Sequence, residues 1–345
     1  MQSNLKDKIQ GSFAGVAVGD ALGMPLHELT SDEIKERCNG RATTFFPIWS
    51  DEFIHLDYKC GQFTDDTMLT IVTADAILKY HGDISSDQFV RELATWVENN
   101  ETIWRHGRVF GPTTKAAFSK LLSHIYDGYK DRSRDWCSTG VSNGSIMRIS
   151  PAGWARSGNI EGAVDLACKL ALPTHPTDVA LSAASAQAAA VAEALSPKAS
   201  VSSIMDAMLK GAKMGEEIGR KTARIISHRY PLPNLEIALE LAEKAKDPFE
   251  AGDKIRRVIG SHLHASEALA TAAGIFYAAK GDTQTSIIAA INNGGDTDTI
   301  GSMVGALAGA LNGFDSVPKA WVKTVEEVNH IEFSSIASQM AELNA

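Results

Sequence analysis

Basic side chains are in short supply: 33 Lys and Arg stand against 42 Asp and Glu, a formal net charge of −9. A phosphodiester backbone calls for a basic stripe, so nucleic acid is not the expected partner. An anionic membrane surface is disfavoured on the same ground. A compact phosphorylated ligand is not excluded, because metal ions can supply positive charge locally. Cysteine is scarce too. Cys38, Cys60, Cys137 and Cys168 show no CxxC spacing and no histidine pattern beside them, which argues against a zinc site or a disulfide framework. Long hydrophobic runs are missing: residues 179–195 are interrupted by Gln187 and Glu193, and 300–311 are too few to span a bilayer. The first nine residues lack the apolar stretch of a signal peptide. A reducing cytoplasm fits these absences.

Strand-like alternation is nearly absent as well, and a 3.6-residue period dominates. It predicts helices over 5–19, 67–80, 86–99, 113–127, 160–172, 177–195 and 201–219, then 235–245, 264–279, 283–292, 299–312 and 319–329. No solenoid repeat is visible. The Pro- and Gly-bearing breaks are short enough to be loops between helices rather than linkers. The expectation is one all-α domain over 1–345, a compact orthogonal multi-helix bundle, with residues 35–59 a possible insertion or lid. Gly301, Gly305 and Gly309 recur at i+4 and mark a helix face without side chains, as a close helix crossing requires.

The chemistry concentrates in two acidic runs. Phe63 to Thr67 reads F-T-D-D-T, and Gly294 to Thr299 reads G-G-D-T-D-T. Each stands just before an apolar helical pattern. Capping explains either run alone, since Asp and Thr oxygens accept orphan N–H groups at helix starts. Capping needs one oxygen, however, not an Asp-Asp pair in one place and Asp-x-Asp in another. Four gathered carboxylates repel unless protonated or neutralised. Hard divalent cations favour this oxygen-rich donor set, and two would balance four charges. The two runs are read as halves of one two-metal site.

Other segments carry weaker signals. Gly11 to Pro25 is glycine-rich but lacks the strand-to-helix switch of a dinucleotide site or P-loop, and reads as a glycine-rich buried helix ending near Gly23. Within it, Asp20 is a carboxylate in an apolar helix and needs a partner. Gly107 and Gly111 are interleaved with Arg105, His106 and Arg108, an arrangement able to hold phosphate or to form an ordinary turn. Ser138 to Pro151 is a small-residue loop entering a helix start, which favours anions. His175 sits in a loop between Pro173 and Pro176. A lone histidine there is either a ligand contact or structural. No nucleophile elbow with a Ser-His-Asp order is present.

Taken in order, G-D-A-L-G at Gly19–Gly23, F-T-D-D-T at Phe63–Thr67, N-G-x-x-M-R at Asn143–Arg148, T-H-P at Thr174–Pro176 and G-G-D-T-D-T at Gly294–Thr299 resemble the ADP-ribosylglycohydrolase family. The resemblance runs from about Lys6 to Lys323. It implies an all-α bundle whose cleft holds two divalent cations, Mg²⁺ or Mn²⁺. Thr64, Asp65 and Asp66 would ligate from one side, and Asp296, Asp298 and Thr299 from the other. Asp65, Asp66 and Asp298 would be the catalytic carboxylates. Gly107 and Gly111 would face the diphosphate. Gly140, Val141, Asn143 and Gly144 would approach the distal part of ADP-ribose, which His175 would also contact. The implied reaction is hydrolysis at the ribose C1″ of an ADP-ribosyl group, on an ADP-ribosylated protein (arginine favoured) or a small ADP-ribosyl compound.

One position departs from the pattern. The family usually places Glu where this chain has His27, with Glu28 one residue later. Imidazole is a poorer partner for a hard cation, though it can act as acid or base. The departure implies altered substrate choice, recruitment of Glu28 by a register shift, or lost activity. The rival readings are a two-metal phosphoesterase, a glycohydrolase of another ADP-ribosyl linkage, and a non-catalytic ADP-ribose-binding relative.

Overall fold

Four glycines on one helix face three on another and the glycine that caps it, and this contact organises the fold. The computed structural model describes residues 2–48, 58–106, 110–122, 140–227 and 229–344. Among these residues there are seventeen α-helices, three short 3-10 turns and only isolated bridges in place of a sheet. The first helices are α1 (Gln2–Gly23), α2 (Ser31–Arg37), α3 (Asp65–Lys79), α4 (Ser86–Asn99), α5 (Glu101–His106) and α6 (Pro112–Leu122). The middle of the chain forms α7 (Ser150–Trp154), α8 (Ile160–Ala171), α9 (Asp178–Ala194), α10 (Val201–Thr222), α11 (Pro231–Glu243) and α12 (Pro248–Val258). The last are α13 (Ala265–Ala278), α14 (Thr283–Ile291), α15 (Thr297–Asn312), α16 (Lys319–Asn329) and α17 (Phe333–Glu342).

Helices α1 and α15 run antiparallel in backbone contact. A Cβ placed on Gly15 would lie 2.0 Å from the Gly305 carbonyl oxygen, one on Gly19 2.1 Å from that of Gly301, and one on Gly23 2.4 Å from that of Thr297. No side chain fits such a gap. A helix with this much glycine is intrinsically poor, so the packing it allows, not propensity, holds α1 together to Gly23. Periodicity alone carried this helix only to 19, whereas the glycine-rich stretch read as a buried helix pointed to an end near Gly23, where it stops.

The alanine-rich α9 is buried along nearly its whole length, and α7, α8, α10 and α15 pack around it. A continuous apolar cluster extends from Ile9 to Ala341, with Phe13 stacked edge-on against Phe333 and beside Trp154. Within the irregular stretch 35–59, residues 49–57 lie outside the described residues. Just before it, α2 begins on a capping box formed by Thr30 and Glu33. Cys38, Cys60 and Cys168 are free thiols. No described helix is long and apolar enough to cross a membrane.

Candidate active site

The glycine seam delivers the C-terminus of α1 to the N-terminus of α15, and Asp20 then fastens α3 to the same spot. Its buried carboxylate accepts the Thr64 and Thr67 N–H groups at 3.0 Å each and the Thr67 hydroxyl at 2.6 Å. The orphan donors of α3 are thus satisfied from a neighbouring helix. A second clasp joins the loop after α1 to the loop before α15: Glu28 N–H donates to the Gly295 carbonyl at 2.9 Å, and Gly295 N–H returns to Leu29 at 3.0 Å. Gly295 has φ of +85°, and a Cβ there would strike the Ser261 carbonyl at 2.4 Å, so glycine is required. Asp296 N–H donates to Ser261 O, Asn143 N–H to Leu263 O, and the Asn143 side-chain amide to Asp296 Oδ2.

These contacts surround a cavity of about 510 Å³. Asp65, Asp66, Asp296, Asp298 and Thr299 line it, so the two acidic runs, far apart in sequence, share one space. Helices α3 and α15 both start two residues earlier than periodicity suggested, which puts Asp65, Asp66 and Asp298 in first turns. Simple capping does not account for them. Thr64 is the N-cap of α3, its hydroxyl accepting Asp66 N–H, whereas Asp296 occupies the N-cap position of α15 without a side-chain capping bond.

The electrostatics are those of crowded, buried anions. Burial, then the charges of Asp20 and Asp298, push the Asp65 and Asp66 carboxyls well above the usual carboxylate range. Asp298 is raised by burial, and Asp20 is pushed up to about 7, again mainly by burial. His27 Nδ1 donates to Asp298 Oδ1 at 2.7 Å and lies 3.3 Å from Asp296 Oδ1. Burial works against a charged imidazole, but these carboxylates outweigh it and raise the His27 pKa well above its ordinary value. Asp296 is shifted down despite its burial, chiefly by His27. On the far side of the ring, His27 Nε2 lies 3.3 Å from Glu28 Oε1, and Glu28 Oε2 accepts from His262 at 2.9 Å. The His27 hydrogen bond in particular holds Glu28 down to about 2.

A hard divalent cation suits this donor set. Asp66 Oδ1 is buried with no hydrogen-bond partner, an unmet acceptor of the kind a cation satisfies. One ligand atom each from His27, Asp296 and Asp298 lies within 4.8 Å of the others. Cations there would relieve the repulsion that otherwise drives these carboxyls towards protonation.

Of the remaining residues singled out in the sequence, His27, Glu28, Gly111, Asn143 and Gly144 line the same cavity. Thr64, Gly140, Val141 and His175 are buried and do not line it, and Gly107 lies outside the described residues. The sequence reading missed Phe110, Thr114, Lys115, Ser142, Met147 and Leu263. Phe110 lies between the marked Gly107 and Gly111, and Ser142 and Met147 lie within the marked 138–151, but which residues of a loop face inward has no periodic signature. Leu263, at the start of the turn into α13, carried no signal at all.

Comparison with known proteins gives the family and the fold. The family model described as ADP-ribosylglycohydrolase matches residues 1–345. The chain is 29% identical to the uncharacterized protein YegU of Escherichia coli, over 97% of this chain and 96% of that protein. It is 22% identical to the ADP-ribosylarginine hydrolase Tri1 of Serratia proteamaculans, over 98% of this chain and 80% of that protein. A solved structure titled ADP-ribosylglycohydrolase-related protein complex shares the fold, with a TM-score of 0.67 and 23% identity over 99% of this chain and all of the other. The chain therefore belongs to the ADP-ribosylglycohydrolase family, a family of hydrolases.

Proposed function

We propose that the protein hydrolyses the glycosidic bond at the ribose C1″ of an ADP-ribosyl group, carried on a protein side chain with arginine preferred. The observation that carries this reading is the convergence of Asp65, Asp66, Asp296 and Asp298 on one cavity large enough for part of a nucleotide. Tri1, named for ADP-ribosylarginine, supports the choice of leaving group. Two divalent cations, Mg²⁺ or Mn²⁺, would be held by Thr64, Asp65 and Asp66 on one side and by Asp296, Asp298 and Thr299 on the other. Bound there, such ions supply charge that orients the ribose diol and acidifies a nearby water.

The chain's own groups do the rest. Asp65 or Asp66 accepts a proton from the attacking water. The surrounding anions stabilise positive charge that develops on the ribose ring as the bond to the leaving group breaks. Asn143 fixes the orientation of Asp296, and Gly111 with Asn143 and Gly144 borders the space for the diphosphate and distal ribose. The free thiols among the described residues, Cys38, Cys60 and Cys168, suit a reducing cytoplasm.

The decisive experiment incubates the protein and Mg²⁺ with arginine-, serine- and nucleotide-linked ADP-ribose and follows ADP-ribose release by mass spectrometry. Release from the arginine conjugate is the expected result. Release from none of the three refutes the reading, and liberation of inorganic phosphate instead identifies a phosphoesterase.

A further inference from the structure

Ser142 touches the cavity on one side and a buried polar chain on the other. We propose that Ser142 is a hydrogen-bond donor of fixed direction, aimed at an anionic oxygen of the ligand, and that His175 is the positioning residue that sets this direction. The inference rests on the ADP-ribosyl reading for the identity of the ligand, not for the direction of the donor.

The direction follows from the fully buried Arg148. A guanidinium can only donate, and Arg148 Nη2 lies 2.7 Å from Thr174 Oγ1 and 3.2 Å from the Leu170 carbonyl. Thr174 Oγ1 therefore accepts. Its own hydrogen has one acceptor among the described residues, His175 Nδ1 at 2.8 Å. Nδ1 then carries no proton and Nε2 does. Nε2–H donates to Ser142 Oγ at 2.9 Å. The reverse tautomer would strand the buried Thr174 hydroxyl hydrogen, at a cost of about 1–3 kcal/mol. An imidazolium is excluded as well, since burial and the Arg148 charge push the His175 pKa well below its ordinary value. With its oxygen accepting from His175, Ser142 turns its O–H into the cavity.

The neighbourhood is consistent with an anionic recipient. A Cβ on Gly144 would lie 3.0 Å from Thr114 Oγ1 and 3.2 Å from the His175 ring, so Thr114 and the histidine that holds Ser142 both border this glycine. Lys115, the next residue of α6, lines the same cavity. Two hydroxyl residues and a lysine thus line a cavity whose other charged groups are mostly carboxylates. Ionised carboxylates accept and do not donate. A hydroxyl that cannot reverse its polarity selects for an acceptor, and in an ADP-ribosyl ligand the acceptor of matching charge is a diphosphate oxygen.

Two measurements test this. Long-range proton–nitrogen correlation NMR of the His175 ring at neutral pH should show a proton on Nε2 and none on Nδ1; the opposite tautomer overturns the proposal. Calorimetric titration of ADP-ribose with Mg²⁺ present should show about tenfold weaker binding for Ser142→Ala, with Ser142→Thr, which keeps the hydroxyl, staying near wild type. Equal affinity of the alanine variant and wild type, both folded by circular dichroism, also overturns it. Absence of wild-type binding to ADP-ribose would refute the proposed function, while the ring tautomer still decides the direction of the chain from Arg148 to Ser142.

Discussion

At the scale of single residues, the site gathers carboxylates that do different work. Asp20 is structural: it satisfies two N–H groups and one hydroxyl at the start of α3. Asp20→Ala leaves these donors buried and unmet, and should destabilise the fold by about 2–4 kcal/mol in urea denaturation. Asp66 behaves in the opposite way. Its Oδ1 has no partner, and it is held among like charges, so Asp66→Asn should leave helix content and metal-free stability intact. Turnover of the ADP-ribosyl substrate should nevertheless fall by about 10²–10⁴-fold, measured as initial rate; undiminished turnover would remove Asp66 from the mechanism. The sequence already marked Asp20 by burial logic and Asp66 by its place in a paired run. It could not tell that His175 spends both ring nitrogens on Thr174 and Ser142, because a loop histidine reads the same whether it faces a cavity or a core. At His27 the sequence exposed the departure from the family pattern, but only coordinates place its Nδ1 against Asp298 and Asp296.

At the scale of elements, most helices announced themselves by period, and the misses have physical causes. Short helices such as α2, α5 and α7 offer too few turns for a period to emerge. The starts of α3 and α15 moved because neighbours, not propensity, decide them. The i+4 glycines of α15 were legible as a close crossing, but their partners Gly11, Gly15 and Gly19 read only as a glycine-rich buried helix, since one sequence does not say which two faces meet. The crossing predicts an asymmetry between substitutions of equal size. Gly305→Ala places a methyl about where the Gly15 backbone already is, and should cost about 3 kcal/mol or more. Gly111→Ala meets open space and should leave the unfolding midpoint nearly unchanged. Thermal unfolding of the two variants checks the contrast.

At the scale of the molecule, the site joins segments from opposite ends of the chain, so occupancy and global stability should be linked. Saturating Mg²⁺ at about 100 times its dissociation constant should add about 2.7 kcal/mol to unfolding, reversed by chelation and diminished in Asp298→Asn; calorimetric scans with and without the ion would read it. A flat midpoint would separate the acidic cluster from cation binding. The glycine seam carries one more implication. Knobless faces repeating every four residues interlock like a toothed rack, and sliding by a single tooth displaces one helix by about 6 Å. No smaller slip restores the fit, so the span between the aspartates of α3 and those of α15 cannot drift gradually as surface sequence diverges. It is inherited whole or lost whole, and the catalytic gauge of the molecule is thereby set by residues that have no side chains.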